Sequence, residues 1–335
     1  MEELSKANCL FTLDLFRKLI ESNLDGNIFF SPFSISAAFA MVYLGAKNIT
    51  ASQMKMQSEI NRADFSYLLK VANRLYGEKS YSFLEEFFTS SMKFYGEKMS
   101  AVDFQTAANE IRQEISKWVE LRTTGSHNCF IHHSFLKHLS CKIIKCFNYF
   151  SQNERKPVKT MHQKKKFYIF HIQEFKLQVL ELPYVGNDLS MNILLPDIIM
   201  DNSMDVKQLE QELTLGKLQE WTHPNCMRKL DVHVCLPKFK LEGDCELKSP
   251  LSSLGMEDVF DSARTNLTGM SATHDLYVSK VVHKSFVEVN EEGTEAAGAT
   301  AVMIQFCMVM DEGFFTADHP FLFVIRTEEG YYVKR

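Results

Sequence analysis

Apolar residues recur along this chain with two periods, and the changes of period outline its elements. Leu10, Leu13, Phe16 and Ile20 fall at helical spacing with Asp14, Arg17 and Lys18 between them, which predicts an amphipathic first helix. Asn27-Ile28-Phe29-Phe30 reads as a short buried strand ending at Ser31-Pro32. Serine is a good N-cap and proline suits the first helical position, so the apolar run FSISAAFAMVYLGA is expected to be a helix that stops at Gly45. SYLLKVANRL, at 66–75, reads as a strand. Helical patterns follow at 83–92 and 109–119, separated by the short strand SAVDF that ends at Phe104. Residues 175–196 give two strands joined at Gly186-Asn187-Asp188, a hairpin signal. An amphipathic helix is expected over 206–221, and an alternating strand over 230–241 broken by Pro237.

The stretch from Val281 to Phe323 does not fit this ordinary scheme. It opens as a strand with Val281, His283, Ser285, Val287 and Val289 on one face. After the turn-like Glu291-Glu292-Gly293 comes Thr294-Glu295-Ala296-Ala297-Gly298-Ala299-Thr300-Ala301. At period two, Thr294, Ala296, Gly298 and Thr300 share a face, and each is small enough to slide between two existing strands. The charge of Glu295 falls on the opposite face. A segment exposed at one time and a central strand at another needs this composition. An Ala-rich surface helix is the other reading of the same residues, since alanine is the best helix former.

Composition narrows the function. The 335 residues are 45% hydrophobic with 27 Phe, enough for a sizeable core, and a net charge of −5 offers nothing to nucleic acid or an anionic membrane. No signal-peptide pattern opens the chain, and no run approaches the ~20 apolar residues of a membrane span. The eight cysteines are scattered, as reduced thiols in a cytoplasmic protein would be. On that expectation the sequons Asn48-Ile49-Thr50 and Asn266-Leu267-Thr268 stay unused, and any release from the cell is unconventional.

Candidate chemistry is sparse. Cys129, His132, His133, His138, Cys141 and Cys146 include two spacings that superficially suit tetrahedral zinc, but Phe130, Ile131, Phe135, Leu136, Ile143, Ile144 and Phe147 beside them read as core. No metal and no cofactor is expected. A nucleophile elbow, a phosphate-cradling glycine loop and a paired-carboxylate word are missing, and Cys307 has no sequence-local base. The chain does not read as an enzyme.

The words themselves add a resemblance. VEVNEEGTEAAGAT, followed by an apolar run and FTADHPFLFVIR, resembles the hinge and reactive-centre loop of the serpin family, in its intracellular, ovalbumin-like branch (clade B). Ser-Pro-Phe-Ser at 31–34, Asn-Arg-Leu-Tyr-Gly at 73–77 and NLTGMS at 266–271 match family wording as well. The resemblance implies a single α+β serpin domain over 1–335, with three β-sheets, eight or nine helices and an exposed reactive-centre loop at about 291–311. It makes Glu291, Gly293, Thr294 and Ala296 the hinge, and Ser31, Ser34 and His283 the shutter, the small-residue element beneath the central sheet. Sixteen positions beyond Glu291 the family's spacing puts the bait bond at Cys307–Met308, with Phe306–Cys307 as an alternative.

What the resemblance implies is a suicide substrate. A target serine attacks the loop carbonyl, and the cleaved loop inserts into the sheet before the acyl-enzyme can hydrolyse. Cys307 is small and modestly apolar, as an elastase-like pocket requires, and Phe306 suits a chymotrypsin-like one. Between Val281 and Cys307 the only Arg or Lys is Lys284, which argues against trypsin-like targets. The expected partners are serine proteases of the neutrophil elastase, cathepsin G and chymotrypsin types, bound by a monomer.

Three stretches depart from the family pattern. Residues 50–65 are shorter than in relatives. At 126–156 SHNCFIHHSFLKHLSCKIIKCFNYFSQNERK stands where relatives carry Asn-Ala-x-Tyr-Phe-Lys-Gly-x-Trp, and the only tryptophans here are Trp118 and Trp221. After Arg326 the chain reads TEEGYYVKR instead of a last core strand. Sheet A is therefore expected to be incomplete around 126–156. A dozen backbone hydrogen bonds at ~0.5–1.5 kcal/mol each give on the order of 10 kcal/mol to loop insertion, and losing a neighbouring strand removes a large part of that. The alternative function is a non-inhibitory or inactive serpin-fold protein that only binds partners. Gly298, where relatives usually carry alanine, weakens the would-be strand slightly.

Overall fold

The computed structural model describes residues 2–23, 26–58, 75–95, 99–123, 140–141, 146–151, 154–184, 189–197, 206–273, 275–289 and 312–327. Within these, the residues of 1–130 and 241–286 pack as one compact unit, and those of 131–240 and 287–330 as a second.

The first unit begins with α1 (Glu2–Ser22), whose buried stripe is Phe11, Leu15 and Leu19, at i, i+4 and i+8. This corrects the expected Leu10–Leu13–Phe16–Ile20 face: Leu10 is 45% exposed, and Leu13 is the one member that is fully buried. α2 (Pro32–Tyr43) starts as its sequence dictates. Ser31 has extended backbone at φ −111°, its Oγ accepts the Ser34 N–H at 3.3 Å, and Pro32 fills the first turn, where its missing N–H is no loss. The turn after α2 meets residues 266–270. The Gly269 N–H donates to the Gly45 carbonyl at 2.9 Å, and a Cβ on Gly269 would lie 2.9 Å from the Gly45 Cα, so only glycine permits this approach.

α3 (Asn48–Ser58), β1 (Tyr76–Glu78), α4 (Glu85–Tyr95), β2 (Ser100–Val102) and α5 (Ala108–Thr123) follow, with β1 and β2 parallel. Most of the predicted strand at 66–75 lies outside the described residues. The turn leading into α5 is held by two carboxylates. Glu78 accepts from the Phe104 N–H at 2.7 Å and Asp103 from the Thr106 N–H at 2.8 Å. Lys79, 2.7 Å from Asp103, together with the Thr106 donors holds the Asp103 carboxyl far below the usual carboxylate range.

The second unit is built on one seven-stranded sheet, in the order β12-β9-β6-β7-β8-β13 with β3 added beside β6. β6 (Thr160–Ile172) is the longest strand and was not foreseen, because Gln163-Lys164-Lys165-Lys166 interrupts apolar alternation. Its first part pairs with β9 (Arg228–Pro237) and its last with β7 (Leu177–Pro183). β7 and β8 (Leu189–Pro196) are the expected antiparallel pair; Gly186-Asn187-Asp188 lies outside the described residues. The helix expected over 206–221 is two, α6 (Val206–Glu212) and α7 (Leu215–Trp221). Thr214 causes the break, with extended backbone (φ −117°, ψ 163°) and a side chain that accepts the Lys217 N–H.

The divergent segment is represented by β3 (Ser140–Cys141), which pairs with β6, and by β4 (Cys146–Ser151) and β5 (Glu154–Val158), which pair with each other. Pro237 ends β9, and the chain resumes as β10 (Phe239–Glu246), then α8 (Lys248–Ser253), a 3-10 turn at Asp258–Phe260, and β11 (Val282–Val289). Among the described residues β11 pairs with β10 alone, and no strand of 126–156 pairs with it. β12 (Glu312–Thr316) runs parallel to β9 at the sheet edge, and β13 (Leu322–Thr327) pairs antiparallel with β8. In all, the described strands form four hydrogen-bonded groups.

Candidate functional site

The alternation in β11 is realised as written. His283, Ser285, Val287 and Val289 are buried, while Val282 is 51% exposed. The two polar members of the buried face point at the chain just before α2. The Ser31 N–H donates to His283 Nε2 at 2.9 Å, and Ser285 Oγ donates to the Phe29 carbonyl at 2.6 Å. Because a backbone N–H can only donate, Nε2 must be the bare nitrogen, and a neutral ring carries its proton on Nδ1. Ser31 thus uses its backbone toward β11 and its hydroxyl toward Ser34, so one residue both caps the helix and ties it to the strand.

The predicted trio of Ser31, Ser34 and His283 is therefore brought together. Two further residues complete it. Ser285 sits two positions beyond His283 on the same face, a signal present in the strand period. Gly243 on β10 is the less legible one: a Cβ there would fall 2.5 Å from Ser285 Oγ and still closer to the Phe29 carbonyl oxygen. A lone glycine inside a strand pattern is the sequence mark of such close backbone approach. Chemically the arrangement is a latch. Its bonds run from side chains of the strand to backbone groups of a remote segment, and so fasten β11 to the chain just before α2.

The hinge residues Glu291, Gly293, Thr294 and Ala296 and the bait residues Phe306, Cys307 and Met308 lie outside the described residues, which end at Val289 and resume at Glu312. Of the cysteine–histidine set only Cys141 and Cys146 are described, in β3 and β4. At the resumption, Glu312 receives Lys164 Nζ at 2.6 Å and lies 3.1 Å from His233 Nε2. Both hold its carboxyl below the usual range, with Lys164 the larger influence.

Comparison with known proteins bears on the chain as a whole. The family description "Serpin (serine protease inhibitor)" matches residues 6–332. Leukocyte elastase inhibitor from Homo sapiens is 47% identical over 363 aligned positions, covering 97% of this chain and 96% of the relative. That from Xenopus tropicalis is 44% identical over 364, with the same coverage. The alignments are longer than the 335-residue chain, so parts of each relative have no counterpart here. Among solved structures, uncleaved ovalbumin superposes with a TM-score of 0.81 at 28% identity over 97% of this chain and 96% of that one. A tumour-suppressing serpin gives 0.80 at 26% over 98% and 96%.

Proposed function

The chain belongs to the serpin family, in its ovalbumin-like branch, and from that premise we propose that it inhibits serine proteases as a suicide substrate. The observation that carries this reading is the small-residue hinge 291–300, which follows directly on a strand latched to the start of α2. The target's catalytic serine attacks the carbonyl of Cys307 and forms an acyl-enzyme, with Met308 leaving. The freed hinge enters beside β11, and the translocated protease loses the geometry it needs to deacylate. The chain contributes a substrate bond and conformational free energy; it performs no catalysis.

Elastase-like enzymes are the first targets, because Cys307 is small and the flanking Ile304, Met308 and Val309 are apolar. Phe306–Cys307 serves chymotrypsin-like and cathepsin G-like pockets. The eight scattered cysteines of the sequence fit action in a reducing cytoplasm, or after unconventional release, and the protein acts as a monomer. The test is incubation of the purified protein with neutrophil elastase. An SDS-resistant complex, with cleavage mapped by mass spectrometry to 307–308, is the expected result. Cleavage only outside 304–309 would overturn the assigned bond. Cleavage without a complex would favour the non-inhibitory reading.

A further inference from the structure

β12 begins where the bait loop ends, and its outward face is built in an unusual way. Register aligns Phe314 with His233 on β9, and His233 with Lys164 on β6. The next positions on the same face are Glu312, Asp231 and Lys166. The opposite face is core, where Phe315, Val232, Met161 and Phe167 are buried. On the wet face Phe314 is 67% exposed, the most exposed aromatic among the described residues. It does not hang free. Its ring lies flat on His233, with centroids 4.9 Å apart and planes 8° from parallel, and His233 is tied through Glu312 to Lys164. An exposed aromatic held in place by its neighbours loses little conformational freedom when a partner covers it, which is what a binding anchor requires.

We propose that Phe314, backed by His233 and flanked by Lys164 and Lys166, is a second contact for the protease held at the bait bond. The occupant is a serine protease presenting an apolar patch on its leaving-group side. This rests on the inhibitor reading above. The reach decides it. Phe314 is six residues beyond Met308, so however those residues run, the two are separated by no more than about 22 Å. A protease domain of roughly 200 residues has a radius of gyration of about 16 Å and is about 40 Å across. A body of that size seated at Met308 is large enough to reach Phe314. The charges around the ring are balanced: Glu312 is engaged by Lys164 and His233, and exposed Lys166 stands in register with Asp231, so the aromatic is the feature that distinguishes this face.

The experiment compares wild type, Phe314→Ala and Phe314→Trp. It measures the rate of covalent complex formation with active neutrophil elastase, and equilibrium binding to elastase whose catalytic serine is replaced by alanine. Phe314→Ala is expected to slow association and weaken binding by about tenfold, with the fraction trapped unchanged, and Phe314→Trp to stay near wild type. A loss of less than threefold in Phe314→Ala overturns the proposal while leaving the inhibitor reading intact. If wild type neither traps the active enzyme nor binds the inactive one, both readings fall. Concentration-dependent self-association that Phe314→Ala abolishes, with protease kinetics unchanged, would assign the face to a second copy of this chain and overturn it too.

Discussion

Ser285 Oγ and the Phe29 carbonyl oxygen are 2.6 Å apart, although the two residues are 256 positions apart in the chain. Gly243 is what lets them meet. Its missing side chain leaves room that a single methyl would take from both partners. Gly243→Ala is expected to destabilise the protein by about 2–4 kcal/mol, the sum of overpacking and a lost hydrogen bond. Urea unfolding reads this directly, and a midpoint equal to wild type would show that the strands have slack.

His283 offers the reciprocal experiment. Replacing it by leucine leaves the buried Ser31 N–H without the imidazole acceptor, a loss of about 1–3 kcal/mol. Glutamine can present Oε1 to the same N–H and should recover part of the difference. Melting temperatures in the order wild type, His283→Gln, His283→Leu are expected. Equal melting for the two variants would mean that the ring's bulk, not its acceptor, is what matters.

Cys9 lies in the core on α1, and burial pushes its thiol up to about 12. The fold therefore favours the neutral thiol. That stability is complete below the ordinary thiol value of 9.0 and is lost as pH rises from there toward about 12. At pH 8 iodoacetamide should label the half-buried Cys226 and leave Cys9 untouched until the protein unfolds. Peptide mass spectrometry separates the two sites, and early modification of Cys9 would contradict its placement.

Thr294 separates an inhibitor from a mere substrate. If the hinge inserts, Thr294 must become a strand-paired, buried residue early in the movement, and an arginine there would bring a charge between strands at a cost of several kcal/mol. In the loop before cleavage the same change costs almost nothing. Thr294→Arg should leave cleavage by elastase intact and abolish the covalent complex. A mutant that still traps protease would rule out insertion through this face of the hinge.

The sequence was most legible where local chemistry and tertiary role coincide. Ser31-Pro32 announced a helix start, and the same serine proved to be the latch residue; the period-two run from His283 to Val289 is buried as written. It was least legible where a remote partner decides. Nothing local says that Gly243 must face Phe29, or that a lysine run belongs to the longest strand, since β6 is held by pairing with β9 and β7 on its two sides. Thr214 shows a local signal overlooked inside a strong period: a capping residue outweighs continuous amphipathicity. The two sequons show the converse. Thr50 Oγ1 accepts the Asn266 N–H at 2.9 Å and Asn266 Oδ1 accepts from Thr268, so words that read as modification sites are used as fasteners.

The latch between residues 31 and 283 has a further consequence during synthesis. The first packed unit draws on residues before 130 and on 241–286, so its core cannot close until both are available. At roughly 5–20 residues per second, the 252 positions separating Ser31 from His283 take on the order of tens of seconds to emerge. Throughout that interval the apolar faces of α1 and α2 lack the partners contributed by Leu247, Leu251 and Val259. A nascent chain of this kind depends on something else to shield it while it waits. Its yield in a cell is expected to respond to chaperone supply and translation speed as well as to the stability of the finished fold, which expression with and without added chaperone checks.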